Sequence, residues 1–268
     1  MKTAPISIEL ANNCCVDNLY ADWSVDGRRL LIKWNDYLNN IQIVQVWDIP
    51  SGTSIPIPRI GEQEVSAQLN QNGQQLLLVT RNYTDGSNHV VVWQIDSGTI
   101  DEVFCCGLVW PQAQWSPDEQ SIMVVAGGII HLWDARTLEP LATMVQPSNS
   151  DYALWSPNSH YIMATDENDI IGYTTIYLWD SQTYQLLATI VEPNDFVNEA
   201  WSPDGNYIIV NYSSNDTWYT NIHYTDFEDV LRLAESRVTR DLTPEEREKY
   251  LSEPISTPAP SLAVTPTP

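Results

Sequence analysis

Residues 200–205 read Ala-Trp-Ser-Pro-Asp-Gly, and the Trp-Ser at their centre is one of five recurring marks. Trp23-Ser24, Leu69-Asn70, Trp115-Ser116, Trp155-Ser156 and Trp201-Ser202 stand 46, 46, 40 and 46 residues apart. A second mark follows 24 residues later at Trp47-Asp48, Trp93-Gln94, Trp179-Asp180 and Thr225-Asp226, and 18 residues later at Trp133-Asp134. A fixed period of this size means a chain built from copies of one supersecondary unit, and the unit reads as a propeller blade.

The fourth copy shows why. Asp151-Tyr-Ala-Leu-Trp155 alternates as a strand does, and Ser156-Pro-Asn-Ser159 places Pro and Asn where a type I turn wants them. His160–Thr165 is a second strand, 166–173 a polar loop, and Thr174–Trp179 a third strand rich in β-branched and aromatic residues. Asp180–Thr183 turns, and 185–191 is a fourth strand. The same reading predicts strands near 19–24, 29–34, 41–48 and 54–60 in the first copy, and 64–70, 75–80, 89–95 and 99–106 in the second. The third copy has them near 111–116, 121–127, 129–135 and 140–145, the fifth near 197–202, 207–213 and 218–225. The fold expected is all-β: a five-bladed propeller of four-stranded antiparallel blades over 1–227, with a short C-terminal helical appendage over 228–252 and a Pro/Thr/Ser tail over 253–268. Blade five lacks a fourth strand, and Pro5–Leu10 is the candidate to complete it, closing one ring and removing exposed sheet edges.

Ala200–Gly205, taken with Leu178-Trp179-Asp180 and Leu132-Trp133-Asp134, resembles the bacterial WD-repeat family across roughly residues 15–226. One departure stands out: the Gly-His pair usual before the first Trp is absent. Cys14 and Cys106 hold the His place in units one and three, and Pro147 and Pro193 lie one residue later in units four and five. The resemblance implies blades without the family's buried His–Asp network, held by apolar packing. It also implies seven blades as the usual number, so five would be a small closed ring or a piece of a longer protein. The Trp-Ser-Pro-Asp-Gly turn is shared with TolB-type and peptidase-linked propellers, but no Gly-x-Ser-x-Gly elbow occurs.

Beyond the repeats, 228–237 places Val230, Leu231, Leu233 and Ala234 on one side of an amphipathic helix. Thr243-Pro-Glu-Glu246 then starts a second, with Thr as cap and carboxylates at the positive helix end. The run 233–251 resembles the terminal segment of many bacterial WD-repeat proteins, with Glu235 where Cys is common. That likeness implies a propeller ending within this chain and a signalling module, such as an ATP-binding switch domain or caspase-like protease, on its N-terminal side in relatives.

Acids outnumber bases 35 to 12, giving a net charge of −23. No Lys or Arg falls between Arg136 and Arg232, where 14 Asp and Glu do. Such a surface repels phosphate backbones and draws cations, so nucleic acid is not an expected partner; solubility alone also explains it. No run of about 18 apolar residues suggests a spanning helix, so no membrane is expected. No signal peptide is visible in Met1–Leu10. Cytoplasmic placement follows, or an extracellular one if a leader precedes this sequence.

The loops between second and third strands share one face with the inter-blade loops. They carry Tyr37, Tyr83, Asp166, Asp169, Tyr173, Tyr212, Trp218 and Tyr219, with Trp110 between blades. Aromatics on a rigid scaffold supply contact area at low entropy cost. The expectation is therefore a face that binds a cationic protein or peptide, on a scaffold or sensing propeller that is monomeric if the ring closes. Ordinary solvated connectors are the competing reading, since isolated exposed apolar side chains are common. A carbohydrate-active or small-ligand propeller is the alternative, resting on Asp22 and Glu199 of the inner strands.

No catalytic residue is assigned: His89, His131, His160 and His223 lie in or beside strands without a partner motif. No cofactor or metal is expected. Asp166-Glu-Asn-Asp169 lacks the spacing of a calcium loop, and the pairs Cys14-Cys15 and Cys105-Cys106 lack that of a zinc site and read as small buried residues. The Trp residues at the repeat marks are expected to pack between blades.

Overall fold

The computed structural model describes residues 16–36, 41–58, 63–82, 84–106, 109–146, 152–168, 173–193, 197–214 and 217–226. Residues through His223 belong to one compact unit; of a second, only Tyr224, Thr225 and Asp226 are described. Residues 5–10, 228–252 and 253–268, and with them the closing strand, helices and tail, lie outside the described residues.

All described regular structure is antiparallel sheet in chain order. The first sheet holds β1 (Val16–Trp23), β2 (Arg29–Asp36), β3 (Ile41–Asp48) and β4 (Thr53–Ile55). The second holds β5 (Gln63–Leu69), β6 (Gln75–Arg81), β7 (Asn88–Gln94) and β8 (Ile100–Cys106). The third holds β9 (Gln112–Trp115), β10 (Ser121–Ala126), β11 (Ile129–Asp134) and β12 (Pro140–Val145). The fourth holds β13 (Ala153–Trp155), β14 (Tyr161–Asn168), β15 (Tyr173–Asp180) and β16 (Leu186–Pro193). The fifth holds β17 (Val197–Trp201), β18 (Tyr207–Ser214) and β19 (Thr217–Tyr224), three strands among the described residues.

The repeat marks are turn chemistry. In the first, a buried Ser donates its hydroxyl to a side chain two residues on: Ser24 to Asp26, Ser116 to Asp118 and Ser202 to Asp204, each at 2.6 Å, and Ser156 to Asn158 at 2.7 Å. The same oxygen accepts the amide that opens the next strand, from Arg29, Ser121, Tyr161 or Tyr207, at 2.9–3.0 Å. One hydroxyl thus closes the turn from both sides, and its burial makes losing either bond costly. Asn70 replaces Ser in the second unit and accepts the Gln75 amide at 2.9 Å. At the second mark, Asp134 accepts the Thr137 amide and hydroxyl at 2.7 and 3.0 Å, and Asp180 does the same with Thr183 at 2.6 and 2.9 Å. These are Asx-type turns that fix where each strand ends.

Turns also touch from sheet to sheet. Gly73, at φ +71°, lies so close to the first sheet's turn that an added Cβ would fall 2.8 Å from the Ser24 Cβ and 2.9 Å from the Arg29 Cγ. Arg29 spans the same seam, reaching Asp96 of the second sheet at 2.6 Å. Asn158 Nδ2 donates to the Asp204 carbonyl at 3.0 Å, and the Asp118 amide donates to Ser159 Oγ at 3.0 Å.

Among the described residues, apolar packing runs from each sheet to the next. One cluster joins Leu31 and Val46 of the first sheet to Leu69, Leu76 and Trp93 of the second. The next joins Leu77 and Val90 to Trp115, Ile122 and Trp133. A third joins Met123 and Leu132 to Trp155, Ile162 and Trp179, and a fourth Met163 and Ile176 to Ile208 and Val210. In sheets two to four both marks therefore face the preceding sheet, as expected of residues that pack between repeats. Trp23 departs from that expectation at 53% exposed, and Trp47 and Trp201 are half-buried. The described residues packed with Trp47 (Leu30, Ile32, Trp34, Ile43 and Ile49) all lie in or next to the first sheet's strands.

Candidate functional site

An up-and-down sheet of four strands brings its second-to-third turn and its link to the next sheet to the same end. That end carries the residues singled out as candidates, on longer hairpins than the sequence suggested. The 166–173 segment, read as a polar loop, is largely strand: Asp166 pairs with Thr175, Glu167 with Thr174, Asn168 with Tyr173. Asp166, Tyr173, Tyr212, Trp218 and Tyr219 thus sit on strands, and only 169–172 and 215–216 separate the paired segments. The correction has a physical cause. The ladder here pairs Asp166 with Thr175 and Glu167 with Thr174, so it lacks the apolar alternation that marks a strand.

Tyr212 and Tyr219 come together, their rings stacked at 5.1 Å and 17°. Trp218, next to Tyr219 on β19 and so on the opposite face of the strand, is 67% exposed. Trp110, in the link between sheets two and three, is about half exposed and holds the Arg81 guanidinium 4.4 Å over its ring. The link is tethered by Asn88, buried, whose Nδ2 donates to the Val109 carbonyl at 2.8 Å. Tyr173 is exposed on the fourth sheet, and Asp166 is half-buried there. Tyr37, Tyr83 and Asp169 lie outside the described residues. The candidates therefore fall into three groups at one end of successive sheets: Trp110, then Asp166 with Tyr173, then the Tyr212–Tyr219 pair with Trp218 on the opposite face.

The inner strands carry the acids weighed for catalysis. Asp22 accepts the Trp23 amide at 2.9 Å, and Glu199 accepts the Thr165 hydroxyl at 3.0 Å. Burial, then the Glu199 charge, pushes the Tyr152 hydroxyl above its ordinary value. Lys33 runs the other way: burial lowers its ammonium below the usual range, with Asp22 opposing, while Nζ donates to the Ala67 carbonyl at 2.9 Å and lies 4.3 Å from the Tyr20 ring.

Two polar groups escaped the sequence reading. Glu192, buried on β16, accepts both Asn221 Nδ2 contacts at 2.9 and 3.0 Å and His223 Nε2–H at 2.7 Å. This network bridges sheets four and five, and its residues are 29 and 31 apart, a separation with no motif behind it. The other is His89 with Glu102 and Cys105 on β7 and β8, whose ligand-type atoms lie within 4.8 Å of one another. Cys105 is exposed, contrary to the expectation that the Cys pairs are buried; it occupies the outermost strand of its sheet, where no described neighbour covers it. Burial, then the Glu102 and Asp85 carboxylates, raise its thiol above the ordinary value.

Successive four-stranded antiparallel sheets packed face to face define a β-propeller. Solved propellers agree. The chain matches a crystal structure of a eukaryotic initiation factor at 16% identity and TM-score 0.57, over 78% of this chain and 52% of that one. It also matches the β-propeller domain of the trilobed protease from Pyrococcus furiosus at 12% identity and TM-score 0.56, over 78% and 70% respectively. Porphyromonas gingivalis dipeptidyl peptidase 4 matches at 12% identity and TM-score 0.59, over 82% and 40%. At these identities the likeness is one of fold, and the chain spans about half the length of the initiation-factor structure. The family model for eukaryotic translation initiation factor eIF2A matches residues 61–219, more than half of the sequence. The chain belongs to the eIF2A family.

Proposed function

We propose that this chain is a non-enzymatic protein-interaction propeller that engages a cationic peptide or protein segment through the end bearing Trp110, Tyr173, Tyr212, Trp218 and Tyr219. The observation that carries this is the stacked Tyr212–Tyr219 pair, aromatic area held on strands rather than on loops, with Trp218 exposed on the opposite face of β19. Large aromatic anchors on a fixed scaffold are what interface hot spots are made of. The net charge of −23 selects for cationic partners and against nucleic acid. Family membership supports an interaction role, since the family description is that of a translation initiation factor.

In this reading the propeller has five blades of WD-repeat-like type, in the manner of bacterial signalling or scaffolding chains. Residues 5–10 complete blade five, the ring closes as a cytoplasmic monomer, and 228–252 add a helical appendage. Support for closure comes from Trp34, 1% exposed although the described residues in its cluster all come from the first sheet.

Tryptophan fluorescence with Lys/Arg-rich and Asp/Glu-rich peptides tests the proposal. Saturable binding of the basic set, screened by salt and weakened about tenfold or more in a Trp110→Ala/Trp218→Ala/Tyr219→Ala variant, is expected. Equal binding by the variant, or binding of glycans in place of peptides, overturns it; the glycan result points to the carbohydrate reading.

A further inference from the structure

His89 and Cys105 stand directly opposite each other on β7 and β8. Glu102 joins them through a β-bulge. Val90 pairs with Phe104 and Val91 with Glu102, so Val103 is the extra residue. In the third and fourth sheets the corresponding irregularity falls at Leu141 and Leu187, one residue after the partner of Trp133 or Trp179. The equivalent position in the second sheet is Asp101, after Ile100, the partner of Trp93. The second sheet has moved its bulge two residues along the strand, and the move matters chemically. Val103 and Phe104 both pack toward the third sheet, while Glu102 turns to the face of His89. Bulges re-aim side chains in this way.

The His89 ring is oriented from behind, with Nε2 as the donor. Ser87 Oγ donates to Asp85 Oδ1 at 2.7 Å, which leaves that oxygen as acceptor for His89 Nε2–H at 3.0 Å. In the neutral ring Nδ1 then carries the lone pair, and it faces Glu102 Oε2 at 3.2 Å. Two acceptors in contact need a cation between them. A proton on Nδ1 would make an ordinary ion pair; a metal ion would also draw in the Cys105 sulfur.

We propose that His89 Nδ1, Glu102 Oε2 and Cys105 Sγ bind one divalent transition-metal ion of the zinc type. Imidazole, thiolate and carboxylate together suit zinc and its neighbours and discriminate against calcium and magnesium. Ser87 and Asp85 form the outer layer that orients the imidazole. The solvent side is left for water or for a ligand supplied by a partner. Binding displaces the thiol proton, so ion uptake releases a proton. The ion ties the outermost strand of the second sheet to the hairpin at the candidate interaction end. The sequence hid this site because its ligands combine one Cys of a pair with His and Glu at separations set by the bulge.

Co2+ serves as the probe, added to the reduced, chelator-treated full chain. One ion per chain is expected, with a thiolate-to-cobalt band in the near ultraviolet that Zn2+ abolishes. Cys105→Ser removes that band; His89→Gln weakens binding about tenfold or more, and Ser87→Ala about 10–100-fold. Thermal melting of each ion-free variant confirms folding, and His89→Gln carries the test if Cys105→Ser does not fold. No saturation up to about 1 mM ion overturns the proposal and leaves a plain His89–Glu102 ion pair. A band that persists in Cys105→Ser overturns it too, by placing the thiolate elsewhere.

Discussion

Trp155 and Trp23 occupy the same place in the repeat, yet one is 7% exposed and the other 53%. Trp155 packs on Met123, Val125 and Leu132 of the sheet before it. Among the described residues, Trp23 has no preceding sheet to pack on. The repeat mark therefore specifies a face, not a degree of burial; the neighbour decides how much of that face leaves water. Trp34 sharpens the contrast. It lies in the same sheet as Trp23 but is 1% exposed, so the first sheet's front face is covered in its middle and open at the Trp23 edge.

The largest expected effects come from this pair. Trp155→Ala and Trp34→Ala each remove a buried aromatic and should cost about 3–5 kcal/mol in denaturant unfolding. Trp23→Ala should cost about 1 kcal/mol or less. Equal losses at Trp23 and Trp155 would break the comparison.

Gly73 and Gly27 make the next contrast. Both have positive φ, but only Gly73 meets the preceding sheet's turn, whereas a Cβ at Gly27 meets nothing within 4 Å. Gly27→Ala should cost about 1 kcal/mol from backbone conformation, and Gly73→Ala about 2–4 kcal/mol because Ser24 and Arg29 must also move. Comparable melting temperatures for the two variants would mean that the turn-on-turn contact is slack.

A smaller loss follows from the buried hydroxyls. Ser116→Ala strips the Ser121 amide of its acceptor and Asp118 of a donor, and should cost about 1–2 kcal/mol. An unchanged Tm would contradict the role given to the first mark.

Smallest and pH-dependent is the contribution of the turn carboxylates. Thr137 holds Asp134 below the ordinary carboxylate range, chiefly through its backbone amide, and the Ser24 and Ser202 hydroxyls do the same for Asp26 and Asp204. Folding therefore favours the ionised form. Its contribution is complete above the unfolded carboxylate pKa, about 3.9, and is lost as pH falls through the lower folded values. Tm should fall on acidification through that window, and Asp134→Asn should flatten the acid limb slightly. A limb unmoved by that change would assign the acid sensitivity to other groups.

How much of this was written in the sequence depends on what each element buries. β3, from Ile41 to Asp48, and β12, from Pro140 to Val145, coincide with the strands read from alternation. β14 ran longer than expected because its last pairs, Asp166–Thr175, Glu167–Thr174 and Asn168–Tyr173, give no apolar alternation to read. Turn residues announced themselves through Ser, Asp and Gly at fixed spacing, and the hydrogen bonds explain why those residue types are needed. Sites assembled across sheets had no such signal. Glu192 with His223 depends on how the fourth and fifth sheets pack, and Glu102 with His89 on a bulge two residues out of place.

Sheet-to-sheet closure is the claim on which the rest depends, and light scattering during size-exclusion chromatography, paired with thermal unfolding of the full chain, tests it most directly. Closure predicts the mass of a single chain and one cooperative transition, because the first sheet's front face and the last sheet's edge are covered. A self-associated species, or separate transitions, would contradict it by showing that the Trp23 face and the three-stranded fifth sheet remain open to other molecules.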